Sequence, residues 1–302
     1  MRSLRLHIAF FLLLCGVPLM GQSSGPDERQ LTDPKSITSP SNANAHPIPI
    51  EDLYYTRRVT DATWSPDGKQ IVFTTDITGR QNLWKVSATS GWPIQLTRSD
   101  EQQYASVWSP DGKWIIFQQD FGGNEMWDLM AVPSGGGEVV NLTNTPDIRE
   151  ESPLWSHDGR MIALSHKPRQ GTVYNLAVMD WATHKVRLLT DEKSKDRSWR
   201  PVAWSPDDKT LYANRAVAGH TDSNVYAVDV ASGKLTDLTP HQAEMVYEAS
   251  SLSPDGKTLL ITSNQKQGYQ NVALLDVASQ KVKWVTDTKW EARSGDYSPS
   301  SN

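Results

Sequence analysis

Short apolar runs, separated by turn-forming residues, fill the chain from about residue 51 onward. Two examples are Ile71–Thr74 and Asn224–Val228, where large apolar and smaller or polar side chains are interleaved. A period near two predicts β-strands with one buried face. Helical spacing is confined to Glu51–Arg58, where one short turn of helix is expected. The pattern therefore predicts an all-β fold.

A motif of the form Trp-Ser-Pro-Asp-Gly-Lys recurs and defines an internal repeat. Five complete copies start at Trp64, Trp108, Trp155, Trp204 and Leu252. A sixth starts at Tyr297 and reads Ser298-Pro299-Ser300 before the last two residues, and successive starts are 44, 47, 49, 48 and 45 residues apart. A period of about 40–50 residues with four short strands is typical of β-propeller blades. We expect five complete four-stranded antiparallel blades and the start of a sixth. The broken sixth copy predicts an incomplete ring from a truncated, frameshifted or fragmentary product.

The turn of each repeat has a physical basis. Ser65 suits the first turn position, Pro66 presets φ at the second, and Gly68 adopts positive φ without a steric cost. The tryptophan before the turn is expected to pack between neighbouring blades. His157 replaces the proline in the third copy, and Asp208 replaces the glycine in the fourth, where an aspartate tolerates positive φ. The residues assigned to these structural turns are Trp64, Asp67, Gly68, Trp108, Asp111, Gly112, Trp155, Asp158, Gly159, Trp204, Asp207, Asp255 and Gly256.

The first 50 residues differ from the repeat region. Arg2 and Arg5 precede an apolar run over Ile8–Leu14, and small residues follow, which predicts a signal peptide over residues 1–21 with cleavage near Gly21. A membrane anchor is the alternative, but the run is short for a bilayer. Residues 22–50 are rich in Ser, Pro, Asn and Asp and are expected to be a flexible linker. The propeller then occupies residues 51–302, in the periplasm or outside the cell, with no membrane span after cleavage.

Composition narrows the chemistry. The formal net charge is −5, so there is no basic excess for nucleic acid. The single cysteine, Cys15, lies in the predicted signal peptide. The seven histidines do not occur at ligand spacing, so neither a metal site nor a cofactor is expected. The pattern Gly-x-Ser-x-Gly occurs at Gly21–Gly25, without the strand and helix that a nucleophile elbow requires. We therefore expect no catalytic residue.

One acidic segment is a candidate ligand site. Arg149, Glu150 and Glu151 fall between the last strand of one blade and the first strand of the next. Loops of this kind open near the central channel, and paired glutamates can hold the amino terminus of a peptide. A solvated acidic loop is the alternative interpretation.

The repeat resembles the WD40-like Pro-Asp repeat of bacterial propellers. It is similar both to TolB-like periplasmic propellers and to the N-terminal propeller of the prolyl-oligopeptidase and dipeptidyl-peptidase family of secreted serine peptidases. The segments Glu51–Leu53, Gly122–Leu129, Ala131–Pro133 and Ala278–Trp290 favour the peptidase family. In that family the propeller caps an α/β-hydrolase domain that carries the catalytic triad.

Three hypotheses follow. The resemblance implies, first, a non-catalytic propeller that gates or positions peptides for an α/β-hydrolase domain absent from this sequence. The second is a free-standing TolB-like periplasmic propeller that acts as a scaffold for a protein partner. The third is an autonomous enzyme that uses the propeller channel.

Overall fold

The computed structural model describes residue 51, residues 56–266 and residues 268–297. The predicted signal peptide and linker lie outside these residues, as does most of the predicted helical turn, and Thr56–Arg58 is not helical. Within the described ranges, no helix is long and apolar enough to cross a bilayer.

The described residues contain twenty strands that form five separate four-stranded antiparallel sheets, each in simple sequential order. This confirms the predicted all-β propeller with five blades. Blade 1 contains β1 (Val59–Trp64), β2 (Gln70–Thr75), β3 (Asn82–Ser87) and β4 (Ile94–Gln95). Blade 2 contains β5 (Gln103–Trp108), β6 (Trp114–Gln119), β7 (Asp128–Pro133) and β8 (Val140–Asn141). Blade 3 contains β9 (Ile148–Trp155), β10 (Met161–Pro168), β11 (Asn175–Asp180) and β12 (Val186–Leu188). Blade 4 contains β13 (Arg197–Trp204), β14 (Thr210–Val217), β15 (Ser223–Asp229) and β16 (Leu235–Asp237). Blade 5 contains β17 (Tyr247–Leu252), β18 (Thr258–Ser263), β19 (Asn271–Asp276) and β20 (Val282–Trp284).

The motif forms the hairpin between the first two strands of each blade. In blade 1, the Ser65 hydroxyl donates to Asp67 Oδ1 (2.7 Å) and accepts from the backbone N–H of Gln70 (2.9 Å). The N–H of Gly68 donates to the Ser65 carbonyl (2.9 Å), and Gly68 has a φ of 68°. Asp208 takes the glycine position in blade 4 with a φ of 55°. The same hydroxyl and carboxylate thus close the turn in all five blades.

The first strands lie innermost, because each contacts the first strand of the neighbouring blade. The core consists of layers between blades rather than one central cluster. Between blades 1 and 2, Trp108 and Phe117 pack against Val72 and Leu83, and Trp108 Nε1 donates to the Thr63 carbonyl (3.3 Å). Trp204 repeats this arrangement between blades 3 and 4. Each blade is therefore stabilised mainly by its neighbours.

The side of blade 1 that faces away from blade 2 is uncovered in the described structure. Val59 and Trp64 are 64% and 61% exposed, although Trp108 at the equivalent position of blade 2 is buried. The outer side of blade 5 is also partly open, since Val285 is 58% exposed. The expectation that the motif tryptophan packs between blades therefore does not hold for Trp64, because no described blade precedes it.

Residues 291–297 follow blade 5 and run back along its open side. The hydroxyls of Ser294 and Thr262 are 2.9 Å apart, as are those of Tyr297 and Thr258. Ser250 donates to the carbonyl of Gly295 (2.7 Å). Residues 291–297 lead up to the first residue of the sixth copy of the motif, so they are the segment predicted to form the first strand of a sixth blade.

Candidate ligand pocket at the inner strands

A pocket of about 310 Å³ opens where the inner strands of blades 3, 4 and 5 lie side by side. Each inner strand contributes one charged side chain from the same position of the repeat, four residues before the motif. These are Glu151 on β9, Arg200 on β13 and Glu248 on β17. We call this cavity the inner-strand pocket.

A local irregularity of the inner strands follows these three positions. The pairing between first and second strand shifts register directly after the equivalent residue in blades 1 to 3, and one residue later in blades 4 and 5. Ser152, which follows Glu151, has a φ of 56°. Bulges of this kind re-aim a side chain and bend the strand, and they are frequent at functional sites. Their recurrence in five blades shows that the repeat itself sets the position.

Both carboxylates of the pocket have cationic or polar partners. Arg149 Nε donates to Glu151 Oε1 (2.6 Å), and Arg149 Nη1 lies 3.5 Å from Glu125 Oε2. His220 Nδ1 lies 2.9 Å from Glu248 Oε1. The Glu151 and Glu248 side chains remain 28% and 31% exposed, so each can still meet a ligand.

The remaining walls combine hydroxyl groups with apolar surface. Tyr174, Ser165 and Ser198 contribute oxygen atoms, and Val217 and Ala218 contribute apolar contacts. Burial raises the pKa of Tyr174 above its ordinary value, and the negative charge of Glu151 acts in the same direction. The tyrosine therefore remains a neutral hydroxyl that can donate or accept a hydrogen bond.

The predicted segment Arg149–Glu151 is split between different environments. Glu151 lines the inner-strand pocket, and Arg149 lines a neighbouring polar cavity of about 630 Å³ that also contains Tyr104 and Trp127. Glu150 has no exposed surface and points between blades 2 and 3. The alternating side chains of β9 explain this division, because Arg149 and Glu151 share one face and Glu150 takes the other.

Glu150 is instead a buried acid. Burial is the main cause that raises the pKa of Glu150 to about 7, the charge of Asp128 adds to it, and the Thr143 hydroxyl opposes it. Gln103 occupies the equivalent position in blade 2, where its amide donates to Gln119 Oε1 (2.8 Å). Blade 2 thus has a neutral amide side chain at the buried position where blade 3 has an ionisable carboxyl group.

Arg200, Glu248 and His220 were not among the predicted site residues. The repeat register could have pointed to the first two, because both stand four residues before the motif, as Glu151 does. His220 carries no such signal, since it reaches Glu248 from the turn after β14. Among the described residues, no group of three or more acidic, histidine or cysteine side chains could hold a metal ion.

Comparison with known proteins agrees with this architecture. A family model described as "TolB beta propeller domain" matches residues 56–201, and one described as "Dipeptidyl peptidase IV (DPP IV) N-terminal region" matches residues 169–299. The chain contains a propeller domain related to TolB and to peptidase N-terminal regions. The two matches overlap over residues 169–201, which run from blade 3 into the first strand of blade 4. Together the matches cover all five blades.

Individual relatives come from the same two groups. An uncharacterized peptidase, YuxL of Bacillus subtilis, is 25% identical over 228 residues, which are 72% of this chain and 31% of YuxL. The Tol-Pal system protein TolB of Francisella tularensis subsp. holarctica is 32% identical over 119 residues, 39% of this chain and 26% of that protein. The chain thus spans about a third or less of the curated relatives' lengths. A solved prolyl endopeptidase shares the fold with a TM-score of 0.63 and 15% identity, over 78% of this chain and 37% of that one.

Proposed function

We propose that the propeller binds peptide segments in the inner-strand pocket and is itself non-catalytic. In this proposal it gates or positions peptides for an α/β-hydrolase domain that lies outside these 302 residues. The observation that carries the proposal is the convergence of Glu151, Arg200 and Glu248 on one pocket. The matches to peptidase N-terminal regions support it.

The chemistry of the pocket suits a peptide. A carboxylate such as Glu151 or Glu248 can accept charge-assisted hydrogen bonds from an amino terminus, and the Arg200 guanidinium can donate to carbonyl or carboxylate oxygens. Ser198 and Tyr174 offer hydroxyl groups for the backbone between those ends. Val217 and Ala218 can contact an apolar side chain. Such a site, mainly concave with a few convergent polar groups, is typical of ligand pockets.

Fluorescence anisotropy with labelled peptides tests the proposal. We expect short peptides with a free amino terminus to bind, and the same peptides with an acetylated terminus to bind at least about tenfold more weakly, because one charge-assisted contact is worth about 1.5–3 kcal/mol. Glu151→Gln and Glu248→Gln should each weaken binding of the free-terminus peptides. Glu138→Gln, an exposed change outside the pocket, is the matched control. Equal binding by all variants would place the peptide elsewhere.

The non-catalytic part of the proposal has its own test. A fluorophosphonate probe reacts with activated serine nucleophiles. We expect the folded chain to remain unlabelled, because two serine hydroxyls of the pocket have backbone partners: Ser165 donates to the Trp199 carbonyl (3.0 Å), and Ser198 accepts from the N–H of Tyr174 (3.2 Å). Stoichiometric labelling of one serine would support the hypothesis of an autonomous enzyme.

A second candidate function is a scaffold of the TolB-like kind, favoured by the TolB domain match over residues 56–201. In either case the protein is proposed to act in the periplasm or outside the cell. Mass spectrometry of the exported protein should show an amino terminus near Gln22, and an intact Met1 would contradict export by signal cleavage. For the scaffold function, affinity capture from a periplasmic extract should recover one stoichiometric partner that Glu151→Gln does not release.

A further inference from the structure

Three tryptophans meet in a groove between blades 2 and 3, at the end of the blades where the motif turns lie. The rings of Trp114 and Trp181 have centroids 5.6 Å apart at 64°, and those of Trp155 and Trp181 are 5.0 Å apart at 61°. All three rings are partly exposed and line a cavity of about 490 Å³. We call this cavity the tryptophan groove. It shares no lining residue with the inner-strand pocket.

Two of these tryptophans are not required by the repeat. The position of Trp114 is occupied by Gln70 in blade 1 and by Thr258 in blade 5. The position of Trp181, directly after the third strand, is occupied by Ala88 in blade 1 and by Val277 in blade 5. Smaller side chains therefore satisfy the fold in other blades, and the extra indoles occur together at one groove.

The third tryptophan also departs from the repeat. Trp108 and Trp204 donate their Nε1 hydrogens to a carbonyl of the preceding blade. Trp155 holds the same motif position, but among the described residues its Nε1 has no hydrogen-bond partner. Its ring packs edge-to-face on Trp181 instead. Trp155 thus lacks the hydrogen bond between blades and contributes to the aromatic surface of the groove.

The rim of the groove is polar but has balanced charge. Asp111 pairs with Lys113 (3.2 Å), and Asp158 pairs with Arg160 (3.7 Å), all with largely exposed side chains. His157 adds an imidazole ring that is 60% exposed. Because the carboxylates and cations offset each other, the rim offers hydrogen-bond donors and acceptors without selecting an ionic ligand.

From these features we infer that the tryptophan groove binds a neutral saccharide. A pyranose ring has an apolar C–H face and a hydroxyl-bearing edge, so it matches an indole surface with a polar, uncharged rim. Indole rings combine a large apolar body with little conformational freedom, which suits such stacking. The hydroxyls can donate to Asp111 and Asp158 and accept from Lys113. The volume lies within the range of small-molecule sites, about 300–1,000 Å³.

Isothermal titration calorimetry with two neutral β-linked trisaccharides, cellotriose and chitotriose, tests this inference. We expect at least one to bind the full chain. Trp114→Gln and Trp181→Ala introduce the residues that blade 1 carries at these positions, so each variant should fold. Each should weaken binding at least about tenfold, whereas Trp92→Ala, at an indole that is 92% exposed on blade 1, should leave it unchanged.

Several outcomes would overturn the inference. Absence of heat with both trisaccharides, from protein whose circular dichroism is that of folded β-structure, would do so. Equal binding by Trp114→Gln and the unchanged chain would show that the sugar lies elsewhere. Tighter binding of tetramethylammonium or of a proline-rich peptide than of either trisaccharide would assign the groove to another chemistry. Because the groove and the inner-strand pocket are separate, none of these results decides peptide binding.

Discussion

His157 and Asp208, the two residues that depart from the turn motif, bind each other across blades 3 and 4. Asp208 Oδ1 accepts from the backbone N–H of His157 (2.9 Å) and lies 2.7 Å from its ring Nδ1. Asp208 Oδ2 accepts from the N–H of Asp158 (2.9 Å). One carboxylate of blade 4 thus fixes the turn of blade 3.

Other blades show why the two departures occur together. In them, the turn proline of one blade faces the turn glycine of the next. A Cβ on Gly256 would lie only 2.7 Å from Cδ of Pro206, so that glycine cannot be replaced without movement, whereas a Cβ on Gly112 or Gly159 would lie 3.9 or 3.8 Å from the facing proline. Opposite Asp208 stands His157, which has no proline ring and retains a backbone N–H. The Asp208 side chain therefore meets no proline ring, and its carboxylate accepts hydrogen bonds from the turn of blade 3.

We expect the substitutions His157→Pro and Asp208→Gly to be strongly coupled. His157→Pro alone should destabilise the chain by about 2–3 kcal/mol, because it removes a buried-carboxylate contact and crowds Asp208. The double variant restores the pair found in other blades, so it should be at least about 1 kcal/mol more stable than the sum of the single changes predicts. Urea unfolding of the four proteins measures this coupling. Additive effects would show that the two residues are independent.

The motif tryptophans provide a matched pair for testing the layers between blades. Trp108→Ala should cost about 3–5 kcal/mol, because Trp108 is 9% exposed and fills the layer between blades 1 and 2. Trp64→Ala should cost less than about 1 kcal/mol, because Trp64 is 61% exposed. Urea unfolding measures both. Similar losses would mean that Trp64 is covered in solution.

The buried acid Glu150 predicts a specific dependence of stability on pH. Its pKa in the folded chain is about 7, above the ordinary value of 4.5. Between these values the folded state keeps a proton that the unfolded state releases, so stability falls as the pH rises from about 4.5 to 7 and then levels off. Glu150→Gln should remove this loss. The unfolding free energy of Glu150→Gln minus that of the unchanged chain should therefore be about 1–3 kcal/mol larger at pH 8 than at pH 4.

Urea unfolding at pH 4, 6 and 8 checks this prediction. The difference in unfolding free energy between Glu150→Gln and the unchanged chain should grow with pH. Glu138→Gln, whose glutamate is exposed, should show no such trend. A difference that stays constant from pH 4 to 8 would mean that the pKa of Glu150 is the same in the folded and the unfolded chain.

The sequence predicted the fold well because every blade repeats the same turn chemistry. The spacing of the Ser65-type turns was sufficient to place five sheets. The inner-strand pocket was only partly predictable: Glu151 was named, but Arg200 and Glu248 become neighbours only when three blades stand side by side. The tryptophan groove and the contact between His157 and Asp208 could not be predicted, because they bring together residues of neighbouring blades that are 41 to 67 positions apart in the sequence.

Hydrogen–deuterium exchange with and without a saturating free-terminus peptide tests the central claim most directly. The claim is that peptides bind at the inner strands of blades 3 to 5. Protection should therefore concentrate in Ile148–Ser152, Arg197–Pro201 and Tyr247–Ala249, and Glu248→Gln should reduce it in all three segments. Protection confined to blades 1 and 2, or no protection at saturation, would contradict the claim.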